Sequence, residues 1–262
     1  MKGVLLVFLL FLQTLFLEEC LASTSLVLVP SGNFKPFWLT SVAKNKLDKK
    51  LDTNIFVSSF EVMVHQVTVG EFKKFLLAHP EWKKDQVSSL FVDEAYLQNI
   101  EQNKTIKNSL PMTSVSWFAA RAYCQSLEMR LPTINEWEYM ASASETHKEA
   151  SLDEKFLQRI LNWYGEPQGS ALKSVKSIYK NLYGVWDLHG LVWEWVADFN
   201  SSFVTGESRE DSALNKDLFC GAGNINGGNK ENYAAFMRFA FRSSLKGTSS
   251  IWNLGFRCVR SK

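Results

Sequence analysis

Two capped helices separated by a proline are the feature of this sequence that most restricts its fold. They lie in PMTSVSWFAARAYCQSLEMRLPTINEWEYMASA, residues 111–143. Ser116 can cap the first helix with its hydroxyl, and after the Leu-Pro break Thr133 and Glu136 form a capping box for the second. Apolar residues recur at helical spacing, which predicts a buried face on each helix. Those faces comprise Trp117, Ala120, Cys124 and Leu127 on the first helix, and Trp137, Met140 and Ala141 on the second.

Shorter elements are predicted on both sides of this pair. A capping box of Thr68 and Glu71 predicts a helix that ends before Pro80. Residues 81–110 are polar, and their composition predicts an irregular surface segment. The sequence beyond Gly165 predicts mostly short strands and turns. Strands are predicted at residues 25–30 (SLVLVP), at residues 55–69 (IFVSSFEVMVHQVTV) and at NLGFRCVR near the C-terminus.

The composition favours one aromatic-rich domain. The chain has 262 residues, 46% of them hydrophobic, and includes nine Trp and nineteen Phe. Aromatic side chains bury large areas, so they can hold together a fold that has little regular secondary structure. No linker-like, low-complexity or repeated segment interrupts the sequence, and residues 23–262 are therefore predicted to form a single domain.

The N-terminus is typical of a cleaved signal peptide, residues 1–22. A basic start precedes an apolar run that is too short to cross a bilayer comfortably, and small residues follow at Cys20 and Ala22. Such a signal peptide would direct export to the periplasm or the cell exterior and would be removed by cleavage after Ala22. Acylation of Cys20 is disfavoured because Glu19 before it is not small, and an uncleaved anchor is disfavoured because the run is short.

Charge and hydropathy exclude several classes of partner. The formal net charge is +2, and it becomes +3 when residues 1–22, with one lysine and two glutamates, are removed. No stripe of lysine and arginine follows one periodic face, so no nucleic acid is expected. No later run approaches about 18 apolar residues, so no stable membrane insertion is expected after cleavage. The sequons at Asn103 and Asn200 matter only in a host that glycosylates.

Four segments, in this order, resemble the formylglycine-generating enzyme (sulfatase-modifying factor) family. They are EVMVHQVTVGEFKKF, MTSVSWFAARAYCQSLEMRLPTINEWEYMA, NLYGVWDLHGLVWEWVADF and NLGFRCVR, which together span most of the predicted domain. The phrases RLPT-x-x-EWEY and G-x-VWEWVAD are the most specific of them. The resemblance implies an α+β domain with the formylglycine-generating-enzyme fold, which is C-type lectin-like and low in regular secondary structure.

The resemblance also locates the family's catalytic positions. Founding members bind copper through two cysteines and oxidise a substrate cysteine to formylglycine. Those positions match Asn229 and Ala234, and the only cysteine within residues 187–257 is Cys220. Copper(I) requires soft thiolate ligands, so neither copper nor its oxidase chemistry is expected here. Cys220 is either a reactive thiol or soft metal ligand, or a small buried hydrophobe.

A disulfide is implied by the same resemblance. The family commonly joins the cysteine of the AYC phrase to the cysteine of the GFRC phrase, and these match Cys124 and Cys258. A disulfide suits an exported protein. The alternative is two separate buried thiols.

Calcium is implied at the segment DLHGLVWEWVADF. The resemblance assigns the ligands to the carboxylates of Asp187 and Glu194 and to the backbone carbonyls of Gly190 and Val192. Oxygen-only ligation of this kind suits Ca²⁺. The alternative is that both acids are structural hydrogen-bond acceptors, while the tryptophans beside Glu194 pack in the core.

The stretch ENYAAFMRFAFRSS, residues 231–244, matches the family's active-site strand. Arg238 and Arg242 lie four residues apart in it, among aromatic side chains. One interpretation makes this stretch the floor of a groove in which an arginine binds an anionic or peptide ligand. The other is an aromatic core in which the arginines are buried in ion pairs.

These features predict an exported, non-catalytic accessory or binding protein with a protein or peptide partner. Some family members are encoded beside copper-containing nitrite reductases, and AAFMRFAFRSSL is similar to that subgroup, so the partner could be such a periplasmic metalloenzyme. One alternative is an oxidoreductase with altered chemistry that uses Cys220 or a metal. Another is a lectin-like module that binds sugar or peptide, because a fold alone does not select a function.

Overall fold

The fold combines short strands with short helices. The computed structural model describes residues 25–35, 54–150, 153–166, 171–200 and 230–262. Its strands are β1 (Leu26–Val29), β2 (Gly32–Phe34), β3 (Ile55–Val57), β4 (Phe60–Met63), β5 (Trp193–Glu194), β6 (Leu254–Gly255) and β7 (Val259–Ser261). Its helices are α1 (Val69–Ala78), α2 (Gln98–Gln102), α3 (Trp117–Ser126), α4 (Ile134–Ala141), α5 (Glu154–Tyr164) and α6 (Lys230–Ser243), with a 3₁₀ turn at Pro80–Trp82. This mixture confirms the predicted α+β class.

An antiparallel sheet joins the two ends of the described chain. Its strand order is β1–β4–β7, and Phe60 pairs with Val29 on one side and with Ser261 on the other. β2 pairs with β3 in an antiparallel ribbon, and β5 pairs with β6 in parallel. The strand predicted at residues 25–30 is confirmed. The strand predicted at residues 55–69 is wrong at its end, because it divides into β3 and β4 and Val69 already belongs to α1.

The predicted caps determine where three helices begin. Thr68 and Glu71 complete the capping box of α1, which ends before Pro80 as predicted. Thr133 and Glu136 complete the box of α4, and the predicted serine caps α3. Each cap accepts a hydrogen bond from a backbone N–H group that the first turn of a helix leaves unpaired. These starts could be predicted because a cap depends on neighbours within three or four residues.

The buried face of α3 is rotated from the predicted one. Trp117 and Leu127 are only half-buried, and the indole N–H of Trp117 donates to the Val196 carbonyl at 2.9 Å. The buried residues of α3 are Ala119, Ala120, Tyr123 and Cys124. On α4 the predicted face is confirmed, since Trp137, Met140 and Ala141 are all buried.

The helix α6 overturns the prediction of strands and turns beyond Gly165. The structure has a helix of 14 residues at Lys230–Ser243, where the match to the family's active-site strand predicts an extended segment. Helical geometry brings Arg238 and Arg242 to one face of α6, because residues four apart lie above one another. Both arginines contact a single carboxylate in α4, and this long-range contact favours the helix. The helix α5 also lies outside the predicted elements.

One large core holds most of these elements together, and a smaller apolar cluster packs α5 against α6. The fully buried side chains of the large core include Phe60, Phe72, Trp195 and Phe256. The expected disulfide between Cys124 and Cys258 is present, and it joins α3 to the residue before β7 across a sequence separation of 134. Within the described ranges, no helix is both long enough and apolar enough to cross a membrane.

Candidate functional site

A buried carboxylate lies at the centre of the candidate site. Glu138 of α4 pairs with Arg238 at 2.6 Å and with Arg242 at 2.7 Å, both from α6. Arg238 donates from Nε as well as from Nη2, so its guanidinium binds the carboxylate through two nitrogens. The three side chains are only 9%, 11% and 7% exposed, in that order. The arginines therefore form the buried ion pairs of the second interpretation.

Aromatic side chains from α4 and α5 enclose this ion triad. The guanidinium carbons of Arg242 and Arg238 lie 4.6 Å and 5.8 Å from the centre of the Trp137 ring. The Tyr164 hydroxyl accepts a hydrogen bond from Arg238 Nη1 at 3.2 Å. Arginine over an indole face gains a cation–π attraction, which is larger when the pair is desolvated. Trp137 therefore packs against both arginines that bind Glu138.

The triad stays charged at neutral pH. Burial on its own would raise the pKa of Glu138, but the two guanidiniums outweigh it and lower that pKa to about 2. Burial lowers the pKa of Arg238, and the Glu138 carboxylate more than reverses that effect and raises it. One negative and two positive charges leave the cluster with a net charge of +1. Removing the carboxylate would leave two guanidiniums buried together, which is strongly unfavourable.

The residue that the resemblance matches to the family's second cysteine contributes only a methyl group. Ala234 of α6 is 2% exposed and packs in an apolar cluster with Phe156, Ile160 and Tyr179. A methyl group has no lone pair with which to bind copper. The other two candidate positions, Asn229 and Cys220, lie outside the described residues.

Asp187, a predicted calcium ligand, acts as a backbone acceptor. Its two carboxylate oxygens accept hydrogen bonds from the four consecutive amides of residues 176–179. The turn that it opens is tight, with positive φ at Asp187 (59°) and at Gly190 (97°). A Cβ at Gly190 would lie 2.7 Å from Ile178, so only glycine fits there. The acid thus organises the loop before this turn.

Glu194, the other predicted carboxylate ligand, is paired with Arg257. The Arg257 guanidinium donates to both carboxylate oxygens at 2.7 Å and 2.8 Å, and both side chains are fully buried. Gln66 Nε2 and Trp137 Nε1 add hydrogen bonds at 2.7 Å and 2.9 Å. Three side chains therefore donate four hydrogen bonds to one carboxylate, and one of these side chains carries a positive charge.

These donor sets do not fit a calcium ion. Asp187 and Glu194 already accept from N–H donors, and a guanidinium beside Glu194 repels a cation. The other predicted ligands, Gly190 and Val192, would offer only carbonyl oxygens. No group of three His, Cys, Asp or Glu side chains in the described part of the chain could hold a metal ion. Calcium at these residues stays a prediction, and the geometry favours the alternative of structural acceptors.

Glu138 is the central residue that the sequence interpretation missed. It lies four residues after Ile134 and one residue after Trp137, so helical spacing places it on the buried face of α4. A carboxylate on a buried face requires a cationic or hydrogen-bonding partner. That rule could have identified Glu138 as a pairing site, although not its partners in α6.

An aromatic cleft lies beside the ion triad. It has a volume of about 460 Å³. Trp193 stacks between Tyr164, at a centroid distance of 5.0 Å, and Phe241, at 4.4 Å. Trp252 on the rim is 37% exposed. The other lining residues include Trp163, Glu166, Lys173, Leu191, Ile251 and Asn253. Aromatic walls with a few polar groups are typical of ligand clefts.

One family model covers almost the whole chain. A model described as the sulfatase-modifying factor enzyme 1-like domain matches residues 13–262. The formylglycine-generating enzyme of Streptomyces coelicolor is 32% identical over 165 residues, 57% of this chain and 52% of that enzyme. The inactive C-alpha-formylglycine-generating enzyme 2 of Bos taurus is 32% identical over 169 residues, 58% of this chain and 51% of that protein. The chain spans about half the length of these curated relatives.

A solved structure shares the fold. The crystal structure of CarF superposes with a TM-score of 0.51 and covers 91% of this chain and 98% of its own. Its sequence is 16% identical to this one, so the likeness extends to the fold alone.

Proposed function

Because the chain belongs to the sulfatase-modifying factor enzyme family, we propose that it uses the family's fold for binding and has lost the copper oxidase reaction. The observation that carries this proposal is the structure of α6. Arg238 and Arg242 are both occupied by Glu138, and Ala234 is a buried methyl where the family places a copper-binding cysteine. These residues stabilise a helix, and the sequence of that helix, residues 230–243, contains no cysteine.

The family background is compatible with such a loss. The relatives of this chain include a formylglycine-generating enzyme and a protein named as an inactive one, at the same identity of 32%. Family membership therefore does not decide between an active and an inactive protein, and the residues of the site must do so. An oxidoreductase with altered chemistry remains the second candidate, and it would depend on Cys220 or a bound metal.

The aromatic cleft is the proposed binding surface. Half-exposed rings of Trp163, Trp193 and Phe241 form its walls, and Trp252 lies on the rim. Asn253, Glu166 and Lys173 add polar groups that can fix the direction of a bound chain. Tryptophan-rich surfaces of this kind supply much of the binding energy in protein recognition. We assign to this cleft an extended peptide segment of a protein partner; a sugar, as in a lectin-like module, is the competing ligand.

Export and the identity of the partner extend this proposal. The apolar N-terminal run and the small residues at Cys20 and Ala22 support a cleaved signal peptide. The protein would then assist a periplasmic metalloenzyme, for which a copper nitrite reductase is the specific hypothesis. This part rests on the sequence pattern of residues 1–22 and on the AAFMRFAFRSSL phrase.

Calorimetry with a Cys-x-Pro-x-Arg peptide tests the assignment of the cleft. The peptide should bind the wild-type protein, and Trp252→Ala should weaken binding about tenfold or more, because an anchoring aromatic contributes at least 1–2 kcal/mol. The matched control is Leu77→Ala, since Leu77 lies on α1, away from the cleft, and is 77% exposed. Equal affinities for wild type and Trp252→Ala would contradict the peptide assignment. Binding of an oligosaccharide in place of the peptide would favour the lectin-like candidate.

A further inference from the structure

A second cavity, apart from the aromatic cleft, lies between α4, α5 and α6. Its volume is about 200 Å³. Its lining combines polar and charged side chains with an apolar part, which comprises Phe34, Ala150, Phe156, Leu157, Ile160 and Ala235. An engineered apolar cavity of about 150 Å³ in another protein binds benzene, so a space of this size accepts a single-ring molecule.

One wall of this cavity carries a buried histidine with an unused acceptor. His189 is 1% exposed, and its Nε2 lies 3.1 Å from the Ala141 carbonyl oxygen. The contact with this carbonyl oxygen places a hydrogen on Nε2, because a carbonyl oxygen can only accept. A neutral ring that donates from Nε2 leaves Nδ1 as an acceptor. Among the described residues none hydrogen-bonds this atom.

A second unsatisfied polar atom lies in the same apolar cluster. The Tyr179 hydroxyl is buried and has no hydrogen-bond partner within the described ranges. Its ring is parallel to that of His189, and both rings contact Phe156 edge to face. Most buried polar atoms in folded proteins have a partner. His189 lines the cavity and Tyr179 packs behind it, so the orphaned Nδ1 of His189 indicates that a hydrogen-bonding molecule belongs in the cavity.

The charges around the cavity select against a cation. Its lining includes Lys35, Lys148 and Arg238 on the positive side and Glu138 and Glu149 on the negative side. The Glu138 charge is already matched by two arginines. A positive excess beside a low-dielectric space disfavours a positively charged guest.

We propose that this cavity binds a small, single-ring molecule that carries one hydroxyl or N–H donor for His189 Nδ1 and no positive charge. A phenol is the simplest member of that class. Water is the competing occupant, but its share of liquid volume is only about 30 Å³, so a single water molecule would fill little of the cavity. The site is separate from the aromatic cleft, so this inference goes beyond the proposed function and does not depend on it.

Titration with three matched probes tests the proposal on the wild-type protein. Phenol carries the donor, toluene has the same size without it, and benzylammonium adds a positive charge. Phenol should bind roughly five- to tenfold more tightly than toluene, the increment that one hydrogen bond supplies, and benzylammonium should not bind. Equal affinities for phenol and toluene, or no binding of phenol, would overturn the proposal.

Nitrogen NMR identifies the acceptor atom directly. The chain contains four histidines, so their ring nitrogens can be resolved in a ¹⁵N-labelled sample. Phenol should move the Nδ1 resonance of His189 upfield, as expected for an acceptor that gains a hydrogen bond, and toluene should not. A phenol complex in which this resonance stays in place would contradict the assignment.

Two variants and two controls complete the test. His189→Phe should abolish the preference for phenol over toluene, and Leu157→Trp should block both probes by filling the cavity that Leu157 lines. Leu77→Trp, at an exposed position on α1, and Trp252→Ala, in the other cleft, should leave phenol binding unchanged. A preference that survives His189→Phe, or phenol binding that survives Leu157→Trp, would overturn the inference.

Discussion

Glu138 and Trp137 show how two adjacent residues organise the interior at the residue scale. Glu138 binds both arginines of α6, while Trp137 supports those arginines with its ring and donates its indole N–H to Glu194 at 2.9 Å. The ion triad and the Glu194 pair are therefore connected through one side chain. The capping boxes could be predicted from sequence because their partners are local. The partners of Glu138 lie 100 and 104 residues away, beyond any local pattern.

Replacing Glu138 should destabilise the protein severely. Glu138→Gln leaves two buried guanidiniums without a counter-ion, and we expect a loss of about 3–5 kcal/mol in the free energy of unfolding. The control is Glu61→Gln, whose pair with Arg260 is 30% and 50% exposed and should cost less than about 1 kcal/mol. Urea unfolding monitored by circular dichroism measures both. Similar small losses for the two variants would contradict the structural role of the triad.

His189 should make stability depend on pH. Its folded-state pKa is lowered by burial to about 3 from a usual value of 6.5, so the unfolded chain binds a proton first as the pH falls. The free energy of unfolding should therefore decrease below pH 6.5, by up to about 1.4 kcal/mol per pH unit, until the pH reaches about 3. His189→Phe should flatten this slope between pH 6.5 and 5, whereas His147→Gln, at an exposed position, should not. Thermal unfolding across that range checks both.

Calcium should have no effect on stability if Asp187 and Glu194 are structural acceptors. Adding a chelator or excess Ca²⁺ should leave the thermal midpoint unchanged. Asp187→Ala should lower that midpoint equally in both conditions, because four backbone amides lose their acceptor. A midpoint that rises with calcium in the wild type, and does not rise in Asp187→Ala, would restore the metal site.

At the scale of elements, α6 shows where sequence patterns mislead. Its aromatic and arginine-rich residues 231–244 match a strand in the resemblance, yet they form a helix that packs against α4 and α5. Aromatic residues are common in strands, but their preference depends on context and yields to tertiary contacts. The helices α1, α3 and α4 were predictable because their caps and apolar spacing agree. The position of α6 is set by the ion pairs that Arg238 and Arg242 form with Glu138.

The disulfide joins two elements that are distant in sequence, and its loss should be measurable. Reduction of the Cys124–Cys258 bond, which spans 134 residues, should cost about 2–5 kcal/mol. The sequence holds three cysteines after Ala22, and the disulfide uses two of them. Thiol titration of the denatured, unreduced chain from residue 23 onwards should therefore find one free thiol, that of Cys220. Two or three free thiols before reduction would contradict the disulfide. Cys220→Ser should leave none.

At the scale of the whole molecule, the chain retains its family's fold, and we propose that its chemistry has changed. The phrases that identify the family form caps, core helices and the Glu194 network, and these parts determine the scaffold. The α+β class could therefore be read from the sequence. The occupied arginines and the small cavity beside His189 could not, because they depend on contacts between α4, α5 and α6.

We propose that this scaffold binds a ligand but does not oxidise a substrate cysteine. The most direct measurement is the mass of a Cys-x-Pro-x-Arg peptide after incubation with the copper-supplemented protein, oxygen and a thiol reductant. The formylglycine-generating enzyme of Streptomyces coelicolor, a relative with 32% identity, is the positive control. We predict an unchanged peptide mass with this protein and conversion with the control. The proposal would be contradicted if the peptide lost the mass that matches conversion of its cysteine thiol to an aldehyde, and if this conversion exceeded that in a blank with copper alone.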